Sequence, residues 1–257
     1  MLSAIIWGLV QGLTEFLPIS SSGHLVVVPA FLDKAGMNLA QPSLEVSAVL
    51  HLGTLIAVLV YFRADLARLL RFHPDDEAKK LWVLLIVGTI PAVVGWPLES
   101  TLQSFQDDPR RVGLALIGTA IILWIGSRFA NGKRQITEAR PREGFMIGLA
   151  QALALIPGIS RSGSTISAGS IVGLTPTEAA RYSFLLGIPA IAGGGLKSML
   201  DVSGGTGLHA EIWVGLVVAA VAGYLAIAAL LALLPRVGLI PFAIYAFLAG
   251  VATIIFL

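Results

Sequence analysis

PGISRSGST, residues Pro157 to Thr165, sets a Pro-Gly pair, an arginine and four hydroxyl residues inside an almost unbroken apolar run. FMIGLAQALALI precedes it and ISAGSIVGL follows. An arginine in mid-membrane costs about 2.5–3.5 kcal/mol on insertion scales, so the segment is a poor membrane crossing. How it is read decides the fold.

Length settles the first point. A helix rises 1.5 Å per residue, so a hydrocarbon core of roughly 30 Å needs about 20 residues. Phe145 to Ile156 stops at Pro157-Gly158, and only Ile166 to Leu174 follows. The N-terminus behaves likewise. Residues 2–17 are apolar, Pro18 and Ser20-Ser21-Ser22-Gly23 interrupt them, and Leu25 to Leu32 would span only about 12 Å as a helix. Each region is expected to be a broken helix pair that enters the membrane and turns back, rather than one kinked span. Irregular backbone at that depth is tolerated only against protein or a water-filled cavity, so a binding cavity is expected where the breaks meet.

The composition agrees with a membrane solvent. The 257 residues are 56% hydrophobic and 12% charged, whereas soluble domains carry about 25% charged residues; mean hydropathy is +0.86. Basic residues lie in loops between apolar blocks, which argues against a nucleic-acid surface. The absence of cysteine excludes disulfides, thiolate metal sites and cysteine nucleophiles. The first basic residue is Lys34, so MLSAIIWGLV lacks the basic start of a signal peptide and is expected to belong to the mature membrane domain.

Six segments have the length of full spans: about 43–62, 81–99, 111–130, 178–199, 211–234 and 238–257. Shifting the chain by 140 residues places QGLTEFLPISSSGHL (11–25) over QALALIPGISRSGST (151–165), with six identities in fifteen positions, Gln11 on Gln151 and Ser20 on Ser160 among them. Three spans follow each break, and three is odd, so the halves must be inverted. The expected fold is therefore an all-α polytopic membrane protein. It is a single integral membrane domain over 1–257, an inverted-topology repeat (about 1–130 and about 144–257) with two re-entrant helix pairs and six transmembrane helices. Loops 63–80, 128–144 and 234–239 hold eleven Lys and Arg, against four on the other side. The positive-inside rule then puts the N-terminus outside.

The polar residues at the breaks point to phosphate chemistry. Gln11 and Glu15, four apart, share a helix face, and a carboxylate in a membrane segment must be paired, protonated or bound to a cation. Gly8 and Gly12, at GxxxG spacing on the same half-helix, point to close helix packing. Ser20, Ser21 and Ser22 suit a helix cap, while His24, three residues from Ser21, has an imidazole able to act as nucleophile or base near pH 7. At the second break, a helix N-terminus, the hydroxyls of Ser160, Ser162, Ser164 and Thr165, and the planar fork of Arg161 make an anion site. Arg161 equally suits an ion pair with Glu15, and the two roles are compatible. Glu45 suits either an interfacial anchor or a partner of the site; His73 and His209 fall in loops and are expected to face solvent. A carboxylate can hold Mg²⁺ or Ca²⁺ with few protein ligands plus the substrate's own oxygens. Together these groups describe hydrolysis of a membrane-held phosphate ester or anhydride.

FLPISSSGH and PGISRSGSTISAG, with LEVSAVLHLGTLIAVL, SFLLGIPAIAGG and IPFAIYAFLAG, resemble the undecaprenyl-pyrophosphate phosphatase family, the bacitracin-resistance family of bacterial inner membranes. The resemblance runs essentially end to end. It implies removal of the terminal phosphate from a C55 isoprenoid pyrophosphate at the outer leaflet, recycling the carrier lipid for peptidoglycan, with a divalent cation, Mg²⁺ or Ca²⁺, as cofactor. By position, Gln11 and Glu15 match the family's acidic motif and are the expected metal ligands. Ser21 and His24 match the residues proposed as nucleophile or base, with His24 the expected nucleophile and Ser21 assisting. Ser160, Arg161 and Thr165 match the pyrophosphate-binding motif, with Ser20, Ser22 and Ser162 beside it. Gln11 departs from members with two acids and weakens a two-carboxylate metal site. A polyprenyl pyrophosphate and membrane lipid are the expected partners, no nucleic acid is expected, and a homodimer is allowed for. The rival reading is a lipid flippase or a secondary transporter for an anionic substrate, which would use the same arginine and helix ends without a nucleophile.

Overall fold

The computed structural model describes residues 1–37, 41–98, 101–102, 104–201 and 210–257. Among the described residues, eleven α-helices carry the fold. They are α1 (Leu2–Phe16), α2 (Ser21–Lys34), α3 (Leu44–Tyr61), α4 (Arg63–Leu69), α5 (Asp76–Gly95), α6 (Pro109–Ser127), α7 (Pro141–Leu153), α8 (Arg161–Ile171), α9 (Pro176–Asp201), α10 (Ala210–Val237) and α11 (Ile240–Phe256). Among the described residues there is no strand, only an isolated bridge between Arg134 and Leu174.

Helix ends follow the sequence. Asp75 caps α5 by accepting from Ala78 N, and Asp108 followed by Pro109 opens α6. Both interruptions read from the sequence are real. The chain leaves helix between Phe16 and Ser21, and again between Leu153 and Arg161. Ser20 caps α2 and Ser160 caps α8, each accepting from the backbone N–H three residues on, Gly23 and Gly163. These are the same two positions under the 140-residue shift. Ser20 takes φ 73°, a left-handed conformation that a serine enters only where its surroundings impose it. Pro29 stands inside α2, which continues to Lys34.

Three helical stretches, Asp76–Leu98, Pro109–Ser127 and Ile212–Val237, are long and apolar enough to cross a membrane. A fourth results if α3 and α4, bent by 74° at Phe62, count as one span. The described residues thus give three such spans, or four with the bent pair, where six are expected from the sequence; α11, at 17 residues, is the shorter kind of apolar helix. The best apolar window of Asp76–Leu98 is only 22% buried within the protein, and large side chains such as Val94 (72% exposed) and Ile255 (65%) point outward. Apolar surface on that scale is stable only against lipid or another apolar partner.

Helices meet closely where glycine removes the side chain. A Cβ on Gly8 of α1 would stand 2.7 Å from Gly215 O of α10, and one on Gly12 2.7 Å from Ala219 O, so the GxxxG face packs as expected. A Cβ on Gly148 of α7 would stand 2.3 Å from Gly88 O of α5. Gly113 of α6 and Gly250 of α11 face each other reciprocally, at 3.0 and 2.6 Å. The main core gathers Phe16, Phe62, Leu84, Tyr182 and Phe184 between these layers, and the Tyr182 hydroxyl donates to Leu84 O at 2.6 Å. His73 is exposed in a bend; His209 lies outside the described residues.

Candidate active site

The two breaks meet. Ser162 Oγ of the second donates to Leu17 O of the first at 3.1 Å, and Gly158 N donates to Ser22 Oγ at 3.3 Å. Thr119 on α6 holds the second break in place: its hydroxyl donates to Gly158 O and accepts from Ser160 N, both at 2.9 Å. Gly158, at φ 95°, makes the turn that Pro157 sets up.

At the junction stands Glu15, 8% exposed. Its Oε1 accepts from Arg161 Nη2 at 2.9 Å; its Oε2 accepts from Ser21 Oγ at 2.6 Å and from Gln11 Nε2 at 3.1 Å. A buried carboxylate needs such partners, because each unpaired charge would cost several kcal/mol. Arg161 also donates through Nη1 to Ser183 O on α9 at 3.2 Å, and its guanidinium lies against Gly187, where a Cβ would stand 2.0 Å from Nη1. Thr165 steadies the same turn by bonding to Arg161 O at 2.8 Å and to the Ser183 hydroxyl at 2.6 Å.

A cavity of about 770 Å³ opens over this cluster, within the range of small-molecule sites. Glu15, Ser20, Ser21, Ser22, Ser160 and Arg161 line it, so six of the ten expected site residues share one chamber. The other four do not line it. Gln11 is fully buried behind Glu15, with its Oε1 unpartnered; Ser162 and Thr165, each 1% exposed, are props of the break.

His24 departs furthest from expectation. A buried imidazole must satisfy both nitrogens, and this one does so away from Glu15. Nδ1–H donates to Ser20 O at 2.7 Å, and Nε2 meets the Tyr245 hydroxyl of α11 at 2.8 Å, with the rings stacked at 5.6 Å. Other residues line the cavity that the motifs did not single out, notably His51 and Ser47 of α3, Gln151 of α7 and Asp107. His51 Nδ1–H donates to Ser47 O at 2.7 Å, which fixes the ring and leaves Nε2 for the chamber. The signal for His51 was a polar ring within an apolar span; its height relative to the breaks was not legible.

Oxygen donors suited to a hard cation are present. Glu15 supplies a carboxylate and the neighbouring Gln11 an unpartnered carbonyl oxygen, although no group of three or more His, Asp or Glu among the described residues could hold a metal alone. The set fits a cation that takes most of its ligands from substrate and water.

The family described as bacitracin resistance protein BacA matches residues 4–252. An undecaprenyl-diphosphatase of Thermomicrobium roseum is 41% identical, covering 98% of this chain and 96% of that protein. Proteins of the same name from Halothermothrix orenii (40% identical, 98% and 96% covered) and Geobacter sulfurreducens (39%, 100% and 98%) are similarly close. On residues 4–252, the chain belongs to the bacitracin resistance protein BacA family.

Proposed function

We propose that this protein is an integral membrane phosphatase that hydrolyses undecaprenyl pyrophosphate to undecaprenyl phosphate and inorganic phosphate. That reaction recycles the carrier lipid for peptidoglycan synthesis and confers bacitracin resistance. The observation that carries the site is one carboxylate, Glu15, holding Ser21 of the first break at 2.6 Å and Arg161 of the second at 2.9 Å.

The chemistry follows from those contacts. Arg161 and the N-terminus of α8 bind the terminal phosphate, helped by the hydroxyls of Ser20, Ser22 and Ser160. Ser21 Oγ attacks the terminal phosphorus while Glu15 takes its proton; the bond from phosphorus to the bridging oxygen breaks, and undecaprenyl phosphate leaves. Water then attacks the phosphoserine phosphorus, its own proton leaving with inorganic phosphate, while Glu15 returns its proton to Ser21 Oγ as the bond from phosphorus to that oxygen breaks. This gives the nucleophile's role to Ser21 rather than His24, which holds α2 to α11 through Tyr245. Glu15 is the residue that would hold Mg²⁺ or Ca²⁺ at the cavity, with Gln11 behind it bonded to its carboxylate; the cation, when bound, would neutralise charge on the phosphate oxygens.

The finer architecture belongs to the same reading. The α1–α2 and α7–α8 pairs are re-entrant, and six spans complete an inverted repeat over about 1–130 and about 144–257. Gly8 and Gly148 stand 140 residues apart and pack against Gly215 and Gly88, and Gly113 meets Gly250 face to face; equivalent contacts of this kind are what a two-fold relation produces. The basic residues of loops 63–80, 128–144 and 234–239 support an N-terminus outside the bacterial inner membrane, with the cavity opening to the outer leaflet.

The test is release of inorganic phosphate from a polyprenyl pyrophosphate by purified protein in detergent, with Mg²⁺ or Ca²⁺ against EDTA. Release only with the cation supports the reading. No release under any condition leaves the transporter reading, which needs no nucleophile.

A further inference from the structure

Gln151 is an anomaly in the chamber. It lines the cavity, is 3% exposed, and neither its Nε2 nor its Oε1 has a hydrogen-bond partner. A buried primary amide left unpaired is costly, and natural sites tolerate one chiefly where a ligand completes it. Its counterpart under the 140-residue shift, Gln11, spends its Nε2 on Glu15 four residues on. The residue four beyond Gln151 is Leu155, which offers no acceptor, so the amide donor stays unpaired at the cavity wall.

Its position says which part of a ligand it meets. Glu15, Ser21 and Arg161 occupy the junction of the breaks, whereas α7 carries Gln151 and packs along α5 at Gly148 and Gly88. On that side, Ala92 of α5 and Ala190 of α9 line the cavity, and the very next residues, Val93 and Pro189, line a separate apolar groove of about 530 Å³. An apolar chain attached to a phosphate in the cavity finds apolar surface on that side, along the groove that α5 and α9 share.

We propose that Gln151 binds the phosphate that carries the lipid, donating its amide N–H to an oxygen of that group while Arg161 holds the terminal one. This rests on the phosphatase reading of the cavity. It makes Gln151 a determinant of pyrophosphate over monophosphate esters and of affinity for the lipid product.

Gln151→Met keeps the size and removes both polar atoms. One hydrogen bond to a charged oxygen lost corresponds to about a 10- to 100-fold effect. The expected result is that kcat/KM for a polyprenyl pyrophosphate falls by that factor and the inhibition constant of the polyprenyl monophosphate rises by the same factor. The inhibition constant of inorganic phosphate stays within twofold, and the unfolding temperature in detergent is not lowered. A purely structural role would move both inhibition constants together, and that result overturns the proposal. So does wild-type behaviour of Gln151→Met. Should Met not yield folded protein, Gln151→Ala is read by the same two constants. Wild-type protein is assayed alongside: if it releases no phosphate, the phosphatase reading fails; if it does and only the Gln151 variants behave as wild type, this inference alone fails.

Discussion

Arg161 and Glu15, 146 positions apart in the chain, meet at 2.9 Å with only 15% and 8% of their side chains exposed. Each break therefore supplies one half of an ion pair that neither could bury alone. Removing one partner of a buried pair typically costs 3–5 kcal/mol, because the other charge is stranded. Arg161→Met and Glu15→Gln are each expected to lower thermal stability in detergent by that order and to abolish phosphate release. The double variant should regain much of the stability and none of the activity. Additive losses in a thermal-unfolding cycle would show that the two charges act independently.

Gly187 is expected to matter through Arg161. A methyl group there would stand 2.0 Å from Nη1 and must displace the guanidinium, with an overpacking cost of about 1–3 kcal/mol. Gly187→Ala should reduce kcat/KM at least tenfold. A variant with wild-type kinetics would mean that the guanidinium is free to work from another position.

Thr119→Val keeps the shape and removes a hydroxyl that serves Gly158 O and Ser160 N, both at 2.9 Å. Two buried backbone groups are then unsatisfied, at about 1–3 kcal/mol each. The melting temperature is expected to fall and the anion site to loosen, seen as a raised KM. An unchanged melting temperature would show that the second break is held by other contacts.

His24 and Tyr245 are expected to act as one unit, since their 2.8 Å bond links α2 to α11. His24→Ala and Tyr245→Phe should be non-additive, with a coupling of about 0.5–3 kcal/mol in thermal unfolding. If His24 is instead the nucleophile, its loss abolishes turnover while Tyr245→Phe barely alters it.

Cation dependence should respond to Gln11. Ligand charge tunes affinity for hard cations, so Gln11→Glu is expected to lower the Mg²⁺ or Ca²⁺ concentration giving half-maximal rate. A higher or unchanged requirement would remove Gln11 from the cation's surroundings.

Much of this was legible in the residues. Pro18 and Pro157-Gly158, each followed by a serine-rich run, mark the helix ends, whereas the lone Pro29 is carried within α2, so the breaks could be located to within a few positions. The 140-residue correspondence and the charge of Arg161 pointed to a joint anion site, and the structure seats Arg161 on Glu15. Side-chain direction was not legible. His24 and Ser21 are three positions apart on one helix, yet Ser21 turns to Glu15 while His24 folds back on Ser20 and reaches α11, a helix 221 residues along. Spacing could not reveal that the chamber also takes His51 and Gln151, because which level of α3 and α7 faces the breaks depends on how whole helices slide past one another.

Phosphate release with identification of the lipid product tests the central claim most directly. Wild-type protein in detergent with Mg²⁺ is expected to convert a polyprenyl pyrophosphate into one equivalent each of inorganic phosphate and polyprenyl monophosphate, as seen by mass spectrometry. Ser21→Ala, folded as judged by its melting temperature, should yield neither above background. Full turnover by Ser21→Ala, or pyrophosphate binding by the wild type without either product, would contradict the account.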